Sequence, residues 1–171
     1  MKPDKSRPLP GWARVLVQSA LIALFVLFAF WAVYRFQNKL AITSLGASAF
    51  IAFGFPAAES SRVRYLLGGY LCGLAGGLLC SLLCHEAMGF HLENAPMALI
   101  GFCALAVFIT ALLMLGLKLQ HPPAAALAIS IVLDPKPLVI SAVMLGCILV
   151  LCAARWAVMK LLGSRLDADG A

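Results

Sequence analysis

Hydrophobic positions along this chain come in long blocks. Four stretches, Val15 to Tyr34, Leu66 to Cys84, Pro96 to Leu117 and Leu138 to Met159, are almost free of charge. At about 1.5 Å rise per residue, each is long enough to cross a hydrocarbon layer of about 30 Å as a helix. Two shorter apolar stretches, Ala41 to Phe55 and Pro122 to Leu133, lie between them, each closed by a proline, Pro56 or Pro135. As helices these cover only about 18 to 22 Å, so each is a partial span or a re-entrant element. The pattern predicts an all-α polytopic membrane bundle with four long spans and two short helices. Its single transmembrane domain covers 15–162, between cytoplasmic tails at 1–14 and 163–171.

Composition excludes a soluble globular domain: of 171 residues, 63% are hydrophobic and 12% charged. The six cysteines all fall in or at the ends of apolar stretches, where they read as small reduced packing residues rather than a disulfide framework. The basic segment with Lys2, Lys5, Arg7 and Arg14 resembles the start of a signal peptide. The apolar stretch after it is too long, however, and ends in Trp31, Tyr34 and Arg35 rather than in small residues, so it is expected to be retained. The net charge of +6 reports orientation before it reports nucleic acid. With four crossings and a cytoplasmic N-terminus, seven of the thirteen Lys and Arg fall inside. With six crossings, ten do, leaving Arg35, Lys39 and Lys136 outside. Positive residues prefer the inside, so six crossings are expected, with both termini cytoplasmic in the inner membrane of a bacterium.

The order long, short, long occurs twice, around a connection from His85 to Ala95, which is the pattern of an inverted repeat. In transporters built that way, paired short segments mark the binding site. Helix starts carry unpaired N–H groups and partial positive charge, so two buried starts would hold a small anion without an intramembrane lysine. The candidate binding residues are His121, Pro122, Pro123, Ala124 and Ala125 at one start, and Ser44, Gly46 and Ser48 in the other short segment. Prolines at 122 and 123 forbid continuation of the preceding helix and favour the first turn of a new one. Gly69, Gly73 and Gly77, four apart on one face, predict close helix packing, within the chain or across a homodimer. His85, Glu86, His91 and Glu93, with Cys80 and Cys84 nearby, match no zinc or haem spacing, so no metal or cofactor is assigned. No nucleotide loop, nucleophile elbow or paired intramembrane carboxylate is present, and an enzyme is not expected.

Two blocks carry a family resemblance. The first runs from Leu45-Gly-Ala-Ser-Ala-Phe-Ile-Ala-Phe-Gly-Phe-Pro56 into Arg64 and Gly68-Gly69; the second is His121-Pro-Pro-Ala-Ala-Ala-Leu-Ala128. In these blocks the chain resembles the HPP family of small integral membrane proteins, named for the His-Pro-Pro tripeptide, over roughly Ala41 to Leu162. Members linked to nitrite transport imply passage of a small inorganic anion. Ser48, Arg64, Gly69 and His121 match the family's pattern, and Arg64 and Tyr70 join the candidate binding residues through it. Where the family usually has Gln-Pro-Arg-Asn this chain has Arg62-Val63-Arg64-Tyr65, and Tyr70 stands where a histidine is common. The alternatives to an anion transporter are a scaffold or sensor without transport, a haem or quinone protein using His85, His91 or His121, and a channel for a neutral solute such as urea or ammonia.

Overall fold

A computed structural model describes residues 9–34, 38–89 and 95–166. The structure is all helical over these residues: α1 (Gly11–Val33), α2 (Lys39–Ala49), α3 (Val63–Leu82), α4 (Pro96–Gly116), α5 (Pro123–Val132) and α6 (Pro137–Leu166). Wider π turns, Phe50–Gly54 and Leu83–Ala87, prolong α2 and α3, and a 3-10 turn, Glu59–Ser61, links those two helices. His91, Glu93 and Arg35 of the sequence reading lie outside the described residues, as do Lys2, Lys5 and Arg7 of the N-terminal tail.

Local chemistry sets the boundaries. Three helices begin on a proline, Pro96, Pro123 or Pro137, where the missing N–H costs nothing and φ is already helical. Asn38 caps α2 by accepting the Ala41 N–H at 2.9 Å. The end of α4 is a Schellman turn: Leu119 N–H reaches the Met114 carbonyl at 2.9 Å and Lys118 N–H the Leu115 carbonyl at 3.3 Å. Lys118 occupies the left-handed position of that turn with φ 54°, where glycine is usual. That turn aims Leu119 and His121 back into the bundle. α6 runs seven residues past the expected Met159, with Lys160 over the Trp156 ring at 4.9 Å in its last turns.

Four helices are long and apolar enough to cross a membrane; α2 with its π turn and α5 are shorter. Interhelical contacts fix the direction of each. Gly46 and Gly54 face Val26 and Ile22, so α2 returns against α1. Gly69, Gly73 and Gly77 face His121, Ala124 and Ala128 in turn along α3 and α5. Arg155, late in α6, reaches Ser61 just before α3. The chain thus passes between the two ends of the bundle six times, and α1 begins at the end where α6 finishes. Arg14, Arg62, Arg64, Lys118, Arg155 and Lys160 lie towards that end; Lys39 and Lys136 lie at the other. The alternating directions an inverted repeat requires are present, but the packing is lopsided. α5 lies along α3, whereas α6 barely touches α2, the pair that such a repeat would relate to them.

The glycine stripe has a definite partner. A Cβ on Gly69 would collide with His121, one on Gly73 would sit 2.5 Å from the Ala124 carbonyl, and one on Gly77 3.0 Å from Ala128 Cα. All three glycines are buried by α5 and the turn before it. The homodimer reading of this face is therefore corrected: small residues here let two backbones of one chain approach, and no glycine surface is left for a second copy.

Candidate functional site

Packing α5 backbone-close against α3 carries His121 into the interior, where it is 0 % exposed. It sits opposite Gly69, six residues into α3, about 9 Å beneath that helix's first residue. Ser44 and Ser48, one turn apart on α2, and Tyr70 on α3 converge on it, all buried. Ser48 Oγ lies 2.9 Å from His121 Nε2 and 2.9 Å from the Tyr70 hydroxyl. Ser44 Oγ lies 3.0 Å from the same hydroxyl and donates to the Pro123 carbonyl at 2.7 Å. Ser48 Oγ donates to the Ser44 carbonyl at 2.9 Å. The Tyr70 and His121 rings are 5.7 Å apart at 39°.

Two tautomers of the histidine fit these distances. Ser48 Oγ has one hydrogen and lies within reach of the Ser44 carbonyl, the Tyr70 hydroxyl and His121 Nε2. Where that hydrogen goes to the Ser44 carbonyl, Nε2 donates to Ser48 Oγ and Nδ1 carries a lone pair; where it goes to Nε2, Nδ1 carries the proton. Nδ1 is buried and meets no partner in strict hydrogen-bond geometry, while the Ser60 backbone is the neighbouring group that interacts with the ring. A buried polar atom without a partner is uncommon in a folded protein and calls for an explanation.

The expected pairing of two helix starts does not occur. α2 and α5 lie antiparallel: Asn38, at the start of α2, bonds Ser130 and Asp134 at the end of α5, while Pro123 meets Ser44 and His121 meets Ser48 farther along α2. The amides of α5 are also taken. Pro122 and Pro123 have none, Ala124 N–H donates to His121 O at 3.0 Å, and Ala125 N–H donates to Pro122 O at 3.1 Å. Helix-start amides are therefore replaced, as the potential ligands, by hydroxyls and an imidazole.

The candidate residues divide accordingly. Ser44, Ser48, Tyr70 and His121 form one cluster, with Pro123 supplying a carbonyl. Ala124 packs on Gly73, Ala125 is half-buried, and Pro122 is exposed. Gly46 faces Val26 of α1, away from the cluster. Arg64 is exposed on the first turn of α3 and does not join it. His85, at the opposite end of α3 from His121's contact, lies 2.9 Å from the Val132 carbonyl through Nε2.

Two groups escaped the sequence reading. Arg155, 9 % exposed, donates to Ser61 Oγ at 2.9 Å and to the Pro56 carbonyl at 3.1 Å, pinning the loop whose Ser60 faces His121. Its signal was an arginine inside an apolar helix, which the charge count treated only as a topology marker. The second is Asn38 with Ser130 and Asp134, detectable as an N-cap residue preceding an apolar run.

Six alternating helical passes around a buried polar cluster define a polytopic helical membrane protein. The sequence model described as HPP, transmembrane region, matches residues 6–165, nearly the whole chain. The chain belongs to the HPP transmembrane family. No curated protein and no solved structure matches it.

Proposed function

We propose that this chain is a transporter or channel of the bacterial cytoplasmic membrane, with both termini inside, that moves a small inorganic anion and performs no chemistry on it. Nitrite is the anion that the family resemblance favours. The observation that carries the reading is the buried cluster of His121 with the hydroxyls of Ser44, Ser48 and Tyr70, in which Nδ1 has no partner in strict hydrogen-bond geometry. Polar side chains inside a span are costly and are kept where a pathway or relay uses them.

The tautomer with Nδ1 unprotonated is the one this reading uses. Its lone pair repels an anion, so in that form the cluster holds one only together with a proton: the anion as its conjugate acid, donating to Nδ1, or the anion beside an imidazolium whose Nδ1–H donates to it. For nitrite these are the same composition, one NO2⁻ and one H⁺, with no electrons moved. Arg155, anchored through Ser61 next to Ser60, supplies fixed positive charge on the side of the cluster where the Ser60 backbone meets His121. The same lone pair favours a second reading, a neutral N–H donor such as urea or ammonia. Uptake into proteoliposomes across nitrite, other small anions and urea tests both. Nitrite uptake that is faster at pH 6 than at pH 8 and lost in His121→Ala supports the first. Uptake of urea but not nitrite transfers the function to the second, and no flux of any solute leaves only the scaffold.

A further inference from the structure

The far end of the α2–α5 pair holds a different arrangement. An open cavity of about 250 Å³ is lined by Asn38, Lys39, Leu40, Ser130, Leu133, Asp134 and Pro135. That is below the range of about 300–1,000 Å³ that holds a drug-sized molecule and suits one small polar group. Its wall is built, not incidental. Asn38 uses all its hydrogen-bonding capacity: Nδ2 donates to Asp134 Oδ2 at 2.7 Å and the Ser130 carbonyl at 3.3 Å, and Oδ1 accepts from Ser130 Oγ at 2.8 Å and Ala41 N–H at 2.9 Å. Asp134 is only 7 % exposed. Among the described residues, its carboxylate is reached by neutral donors, the Asn38 amide and the Lys136 backbone N–H at 2.8 Å. A buried carboxylate held by neutral groups retains its demand for a cation.

Antiparallel packing gives this cavity two electrical ends. The start of α2 brings Lys39 and the positive end of a helix dipole; the end of α5 brings Asp134 and a negative end. Depth completes the picture. Trp31 and Tyr34, 75 % and 64 % exposed, end α1 a few residues before the cavity, and such aromatics sit at headgroup level. Exposed Leu40 and Leu133 flank the opening, where acyl chains would lie.

We infer that this cavity binds the headgroup of an ethanolamine phospholipid, its ammonium on Asp134 and its phosphate at Lys39 and the start of α2. Choline cannot donate a hydrogen bond to the carboxylate, and glycerol brings no cation to it, so the site discriminates between headgroups. This inference does not depend on transport. Its test is native mass spectrometry of the delipidated full chain titrated with phosphatidylethanolamine, phosphatidylcholine and phosphatidylglycerol of matched chains, and with free phosphoethanolamine. The expected result is ethanolamine lipid bound at least about tenfold more tightly than the other two lipids and than the free headgroup, with at least about tenfold loss in Lys39→Gln and Asp134→Asn, the scale of one charge-assisted hydrogen bond. Asp134 also holds Asn38, so where Asp134→Asn fails to fold, the exposed Lys39→Gln decides. Equal affinity for the three lipids overturns the inference. So does unchanged binding in folded Lys39→Gln, or free phosphoethanolamine binding as tightly as the lipid.

Discussion

Replacing Gly73 with alanine asks whether α5 rides on α3 as closely as the fold requires. The added Cβ would lie 2.5 Å from the Ala124 carbonyl oxygen, against an ordinary contact of 3.4 Å or more, so the two backbones must part by about 0.9 Å. The obstacle is backbone on a packed helix, with no flexible side-chain end to swing away. Overpacking of this kind costs about 1–3 kcal/mol, offset by about 1 kcal/mol from alanine's better helix propensity. The net expectation is a loss of up to about 2 kcal/mol, against a gain at the two standard positions. Gly101→Ala and Gly146→Ala are the internal standards, because nothing lies within 4 Å of a Cβ at either position. They gain propensity without a clash and are expected to be about 0.5–1 kcal/mol more stable than the parent. Unfolding in mixed detergent, with size-exclusion chromatography of the native species, reads both stability and oligomeric state. Destabilisation confined to Gly73→Ala without a change of oligomer matches the intrachain contact. A Gly73→Ala protein as stable as the two standards, or one that dissociates from dimer to monomer, refutes it.

Three further outcomes follow from named contacts. Tyr70→Phe removes the hydroxyl shared by Ser44 and Ser48; it should cost about 1–2 kcal/mol in the same unfolding assay and slow solute uptake, and an unchanged protein would dissolve the cluster. Arg64→Gln, at an exposed position, should leave stability within about 0.5 kcal/mol, whereas Arg155→Gln should lose about 1.5–3 kcal/mol, because charge-assisted bonds to Ser61 and Pro56 go with it; the reverse ranking contradicts the placement of both arginines. Lys118→Gly should raise stability by roughly 0.5–1 kcal/mol, since the left-handed residue of the α4 turn no longer carries a side chain, and a fall of that size would show that the turn differs.

Hydropathy alone made the six helices legible, because in a lipid solvent length and apolarity nearly determine a helix, and Pro122 and Pro123 marked the start of α5. The glycine period revealed a close contact but not its partner: nothing in Gly69, Gly73 and Gly77 tells α5 of the same chain from a neighbouring copy. The site was half legible. Ser44, Ser48, Tyr70 and His121 were singled out and do meet. How they meet depends on the relative direction of α2 and α5, a tertiary property that set the two helix starts at opposite ends and let the His121 and Pro122 carbonyls consume the amides first. Arg64 and Arg155 exchanged importance for a similar reason, since helix phase and the folded-back loop at Pro56 decide which arginine faces inward.

Nitrite uptake into pH-clamped proteoliposomes, recorded with an internal proton-sensitive dye for the parent protein and for His121→Ala shown to be folded, bears most directly on the proposed role of the His121 imidazole. The account predicts one proton entering with each nitrite in the parent, faster at pH 6 than at pH 8, and neither movement in His121→Ala. Nitrite flux of undiminished rate in folded His121→Ala would contradict it.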